Sequence, residues 1–128
     1  MIITNMDIET QVAVQFVVSF LSGNFSQELV DKYGKILLKL LVEKFQDHWY
    51  PENPAKGSAY RCVTIEKHID VVLAKATLEA DIDAELLQQS LPKRLDLWID
   101  PSEVSYRIGL YNKLLFRVTS VALFLILF

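Results

Sequence analysis

The chain has 128 residues, 52% of them hydrophobic and 23% charged, with a formal net charge of -3. That length fits one domain, and the apolar share supports a real core and excludes a disordered chain. A weakly acidic balance, with Lys93-Arg94 the only adjacent basic pair, argues against a nucleic-acid binder. The lone cysteine, Cys62, leaves no internal disulfide and excludes a secreted, disulfide-stapled module. Residues 12–21 are apolar but interrupted by Gln15 and Ser19, with no basic start and no clean cleavage site. They read as a core helix rather than a signal peptide, so the expected compartments are cytoplasm and nucleus.

In chain order, Ala13, Phe16, Val17, Phe20 and Leu21 repeat at helical spacing, and the run is apolar on most sides. Asp7 or Thr10 could cap this helix, and Ser22-Gly23-Asn24 ends it. Ser26 begins a second helix over about 27–46, with Val30, Tyr33, Leu37, Leu40, Leu41 and Phe45 as its stripe. The short connection makes the two helices antiparallel neighbours. Pro51 and Pro54 forbid its continuation through 47–59, and Gly57-Ser58 allows a tight turn. Residues 60–65 then read as a strand with faces Tyr60/Cys62/Thr64 and Arg61/Val63/Ile65.

Asp70 caps a predicted short helix over 71–79, and Asp83 caps another over 84–90, which Pro92 stops. Strands follow at 95–99, 104–108 and 114–118. Asp100-Pro101-Ser102-Glu103 between the first two suggests a type I turn. Helices lead and a meander follows. The expected class is α+β, an N-terminal antiparallel helix pair and further short helices on a small, mainly antiparallel sheet. The closing run VALFLILF is too short to span a membrane. It reads as a last strand, with a membrane or partner contact or a truncated end as alternatives.

The sequence offers little chemistry. His48, His68 and Cys62 match no compact zinc spacing. Cys62 sits in a predicted strand, where a small buried hydrophobe is the ordinary role. Asp96, Asp100 and Glu103 are close in sequence, but nothing places a carboxylate pair across a cleft. Neither an enzyme nor a bound cofactor or metal is expected. Leu37-Leu38-Lys39-Leu40-Leu41 fits a nuclear-receptor docking pattern, yet its leucines already belong to the second helix's stripe.

Trp98 is different. Alternation puts Leu95, Leu97 and Ile99 on one strand face and Asp96, Trp98 and Asp100 on the other. A face with two aspartates is normally wet, and a tryptophan beside a rigid Asp-Pro turn is the kind of residue that anchors an interface. The alternative is that a helix or the 48–59 loop covers that face, making Trp98 part of a second small core. Tyr60 stands either at the loop's exposed end or as an ordinary aromatic strand former.

Two boxes carry a resemblance. The first is HWYPENPAKGSAYRC at 48–62 and the second LPKRLDLWIDPSEVSYRIG at 91–109. They are similar to the two signature boxes of the BTG/Tob antiproliferative domain, and the order of elements matches over roughly 8–118. The opening IETQVAVQF at 8–16 looks closer to the Tob branch. The resemblance implies one domain over 1–118, leaving 119–128 as an apolar extension. It implies a noncatalytic adaptor that binds the exonuclease subunit of the CCR4-NOT deadenylase complex, promoting mRNA deadenylation and restraining proliferation. The residues it nominates are Tyr60, Trp98 and Asp100, with Pro101 and Ser102 beside them. Transcription or RNA-binding regulators are further partners to consider, and neither direct nucleic-acid nor membrane binding is expected. The other function class is a structural, self-associating relative with weak or no deadenylase binding. Departures from the family pattern are Ala59 for a glycine, Val71 for a proline, Ser102 for an aromatic, and Leu110-Tyr111-Asn112 for an acidic turn.

Overall fold

The structure, a computed structural model, describes residues 6–109 and 113–117. The predicted elements are present in the predicted order. They are α1 (Met6–Ser19), α2 (Gln27–Phe45), β1 (Cys62–Ile65), α3 (Val71–Ala80), α4 (Ala84–Ser90), β2 (Leu95–Asp100), β3 (Glu103–Ile108) and β4 (Leu114–Arg117). The strands form one antiparallel sheet in the order β1-β2-β3-β4, with α3 and α4 in the connection from β1 to β2. The class is α+β, with the helices on one sheet face.

α1 is apolar nearly all round because it is buried nearly all round: Val12, Ala13, Val14, Phe16, Val17 and Val18 are all in the core. It packs on α2 and on strands β2 and β3. Thr10 does not cap it; its hydroxyl donates back to the Met6 carbonyl at 2.7 Å, inside the helix. α2 has the cap and stripe its sequence dictates. Ser26 Oγ accepts from the Leu29 amide, and Val30, Tyr33, Leu37, Leu40, Leu41 and Phe45 are buried. The three pattern leucines Leu37, Leu40 and Leu41 are thereby occupied in the core. Tyr33 donates its hydroxyl to the Leu73 carbonyl at 3.1 Å, joining α2 to α3. Asp70 caps α3 through the Val72 amide and also accepts the Thr64 amide, so one carboxylate joins β1 to α3. Asp83 caps α4 through the Leu86 amide.

Cross-strand register decides the two sheet faces. Val63 pairs with Leu97, Ile65 with Leu95, and Ile99 with Val104, and all six are buried beneath the helices. Cys62 pairs with Trp98, Thr64 with Asp96, Trp98 with Ser105, and Asp96 with Arg107. Those residues share the opposite face, because directly paired residues point the same way.

Three expectations change. β1 begins at Cys62 rather than at residue 60, because the amides of Tyr60 and Arg61 both bond to Gly57 O in a turn. The β2–β3 turn is type II rather than type I, since Ser102 has φ 66 at the third position. The two types differ by a flip of the central peptide. Its N–H, that of Ser102, is held by Glu9 Oε2 at 3.0 Å. The left-handed angle of the 48–59 loop belongs to Gly57, at φ 77, and Ala59 is not among the positive-φ residues, so alanine there carries no such strain. The sequence expectations for 110–112 and for the 119–128 extension lie outside the described residues.

Candidate partner-binding surface

The sheet face turned away from the helices carries Asp96, Trp98 and Asp100 along β2. These three do not share one environment. The Asp96 side chain is partly exposed and takes both Nε and Nη2 of Arg107, at 3.1 and 2.7 Å. Trp98 is half-buried, with the Arg107 guanidinium 5.6 Å and the Lys113 ammonium 4.6 Å from the ring centroid. Such cation–ring contacts stabilise an exposed site by about 0.5–1 kcal/mol each. Ser105, paired with Trp98, is buried, and its hydroxyl has no partner among the described residues. Asp100 is itself buried, which corrects the expectation that its whole face is wet.

Asp100 is buried because Arg61 is. Arg61 has no exposed surface, and each of its five N–H donors has an acceptor. Nε donates to Ile99 O at 2.8 Å. Nη1 donates to His48 O at 2.6 Å and Lys56 O at 2.9 Å. Nη2 donates to Pro54 O at 3.0 Å and Asp100 Oδ1 at 2.9 Å. The guanidinium lies 5.4 Å from the Trp49 ring centroid. One side chain thus supplies the donors that the proline-bearing loop cannot supply itself, and fastens that loop to the end of β2. Losing one partner of such a buried pair costs about 3–5 kcal/mol.

Tyr60, next to Arg61, is 44% exposed, the fraction that makes it available to a partner. Its ring lies 4.1 Å from that of His48, and the Lys44 ammonium is 5.0 Å from its centroid. The Arg61–Asp100 pair brings Tyr60 to the end of the sheet where Asp100 leads into the turn. Trp98 lies one pair further along, opposite Cys62. Of the five nominated residues, Tyr60 and Ser102 are exposed, Trp98 is half-buried, and Asp100 and Pro101 are buried. Ser102 sits at the hairpin tip, with its amide turned to Glu9 of α1.

Sequence reasoning missed Arg61 and Glu9. A signal for Arg61 existed, since alternation set it with Val63 and Ile65 on the core face, where an arginine must find acceptors. Glu9, buried on α1, had no comparable signal. The remaining chemistry is meagre. Burial first, then the nearby Asp96 charge, pushes the Cys62 thiol up to about 11, so it stays protonated at neutral pH. Among the described residues no group of three or more His, Cys, Asp or Glu could hold a metal ion. No described helix is long and apolar enough to cross a membrane.

Comparison with known proteins places this geometry. A model of the BTG family matches residues 6–118. Human Tob1 is 42% identical over 104 residues, covering 81% of this chain and 30% of Tob1. Chicken BTG1 is 40% identical over 103 residues, covering 79% of this chain and 60–61% of the relative in chicken and human alike. The chain therefore spans about a third of the length of the Tob relatives it matches. The identities to Tob1 and BTG1 differ too little to decide the branch. In solved structures the fold is similar to the BTG/Tob domain of C. elegans FOG-3, with TM-score 0.76 and 22% identity, covering 88% of this chain and 80% of that one. On the match of the family model to nearly the whole described chain, and on relatives near 40% identity, this protein belongs to the BTG family.

Proposed function

We propose that the chain is an adaptor of the Tob branch that binds the exonuclease subunit of the CCR4-NOT deadenylase, so promoting mRNA deadenylation and restraining proliferation in cytoplasm and nucleus. The observation that carries the reading is Trp98. It is a large aromatic on the solvent side of a sheet, half-buried, flanked by Arg107 and Lys113, with exposed Tyr60 at the same end. A rigid aromatic with a polar surround is the composition of an interface anchor. The prolines of the neighbouring loop lower the entropy lost when a partner binds.

The test is a titration of purified wild type and Trp98→Ala against the deadenylase subunit. Removal of an anchor weakens binding at least tenfold, about 1.4 kcal/mol or more. Circular dichroism should show an unchanged fold, because Trp98 is outside the helix-facing core. Equal affinities overturn the reading.

Self-association is the second reading, and Leu114 favours it. This leucine opens β4, the last strand of the sheet among the described residues, and is 55% exposed, and exposed apolar edges invite pairing with another chain. Light scattering across a concentration series separates the two. A mass that rises with concentration while the deadenylase is not bound supports assembly.

A further inference from the structure

We propose that Asp100 is a positioning residue, which acts through Arg61 to hold the Tyr60 ring in register with Trp98. This rests on the binding reading above and assigns how the surface is assembled. Trp98 is on a strand and Tyr60 on a turn at the end of an irregular loop, so nothing in regular secondary structure fixes their relation. The connection runs through side chains. Asp100 Oδ1 accepts Arg61 Nη2 at 2.9 Å, and Arg61 Nη1 donates to the His48 carbonyl at 2.6 Å. The His48 ring then lies against that of Tyr60, with centroids 4.1 Å apart and planes tilted by 33°.

Three features favour positioning over direct contact. Asp100 is 8% exposed while Tyr60 is 44% exposed, so the partner meets the tyrosine far more readily than the carboxylate. The Asp100 carboxylate is the only anionic acceptor among five on Arg61, and the other four are backbone carbonyls. Three of those carbonyls, His48, Pro54 and Lys56, span the loop that delivers Tyr60. A charge-assisted bond is stronger and more directional than its neutral neighbours. Losing it leaves the guanidinium, still bonded to four backbone carbonyls, without the one anionic acceptor that sets its orientation, and the loop it holds shifts with it.

The experiment has one arm without a partner and one with. In the free protein, NMR contacts between the His48 and Tyr60 rings should be present in wild type. They should be lost or strongly reduced in Asp100→Asn and in Arg61→Lys, with amides inside α2 still protected. In the binding arm, Tyr60→Ala is titrated against the deadenylase subunit in wild type and in the Asp100→Asn background. Positioning predicts that Tyr60→Ala weakens binding at least threefold less in that background, since the tyrosine is already displaced. If the ring contacts persist in both variants, or if the two binding losses multiply independently, Asp100 acts by itself and the proposal fails. Should Asp100→Asn not fold, Asp100→Glu keeps the charge while shifting the carboxylate, and is read the same way. Unchanged binding by Trp98→Ala would sink the deadenylase reading alone, because the ring-contact result needs no partner.

Discussion

Glu9 and Ser102 stand 93 positions apart, and the Ser102 amide donates to Glu9 Oε2 at 3.0 Å. The bond joins the first turn of α1 to the tip of the β2–β3 hairpin. It selects the orientation of the Pro101–Ser102 peptide and hence the turn type. It also places a carboxylate in the protein interior.

That burial has a pH signature. Desolvation raises the Glu9 pKa above 4.5; the Ser102 amide opposes the shift and Asp7 adds to it. A carboxyl whose folded pKa is raised binds its proton more tightly in the native state. Its contribution is full below the unfolded pKa and is lost as pH rises through the folded one. Glu9→Gln has no such loss. Its stability relative to wild type should therefore improve as pH rises from about 4 to about 7, read from urea midpoints at each pH. A constant difference between the two proteins would show that Glu9 does not titrate with a raised pKa.

Ser102 occupies the left-handed region at φ 66, where a Cβ is crowded. Ser102→Gly keeps the amide that Glu9 holds and removes that crowding. The variant should be more stable by about 0.5–1 kcal/mol, after the extra freedom of glycine in the unfolded chain is set against relief of about 1–2 kcal/mol. Chemical denaturation measures it. A loss of stability would mean that the serine side chain contributes more than its backbone costs.

Gly57 and Gly109 make a matched pair. Both have positive φ, 77 and 64, but a Cβ at Gly109 meets nothing among the described residues within 4 Å, while at Gly57 it would lie 2.9 Å from Arg61 Nη1 and 3.3 Å from the Tyr50 ring. Gly109→Ala should cost only backbone strain, about 1–2 kcal/mol. Gly57→Ala should cost that and more, because the guanidinium has no free donor direction into which to retreat. Equal losses in thermal or urea unfolding would show that the Arg61 cluster yields easily.

Cys62 should be a poor nucleophile. With its thiol near 11, the thiolate fraction at pH 8 is roughly one hundredth of that of a thiol with pKa near 9. Alkylation by iodoacetamide should be slower than that of a free thiol by about that factor, and should reach the free-thiol rate in denaturant. Fast labelling of the folded protein would contradict the raised thiol pKa.

The local elements were legible because each is decided by nearby residues. Ser26, Asp70 and Asp83 cap the helices that follow them, and the alternation of Leu95 to Ile99 separates core from solvent. The family resemblance was legible for the same reason, since both boxes are continuous stretches of chain. Trp98 was legible as a solvent-side residue, because strand period alone dictates its face.

What alternation could not tell is how two residues on one face differ. Asp96 and Asp100 have the same parity, yet one is partly open beside Arg107 and the other is enclosed by Arg61. The difference comes from a loop that returns over the end of the strand, held by five hydrogen bonds from Arg61 that span up to 38 or 39 residues of chain. Glu9 and Ser102 are a second case: no local pattern specifies a partner 93 residues away. Sequence by itself determined the caps of α2, α3 and α4, the stripes, the strand faces and the family. Tertiary structure alone decided which polar groups are buried and with whom. Burial of a charge depends on acceptors that distant segments bring together, whereas the period of a helix or strand depends only on the backbone of that segment.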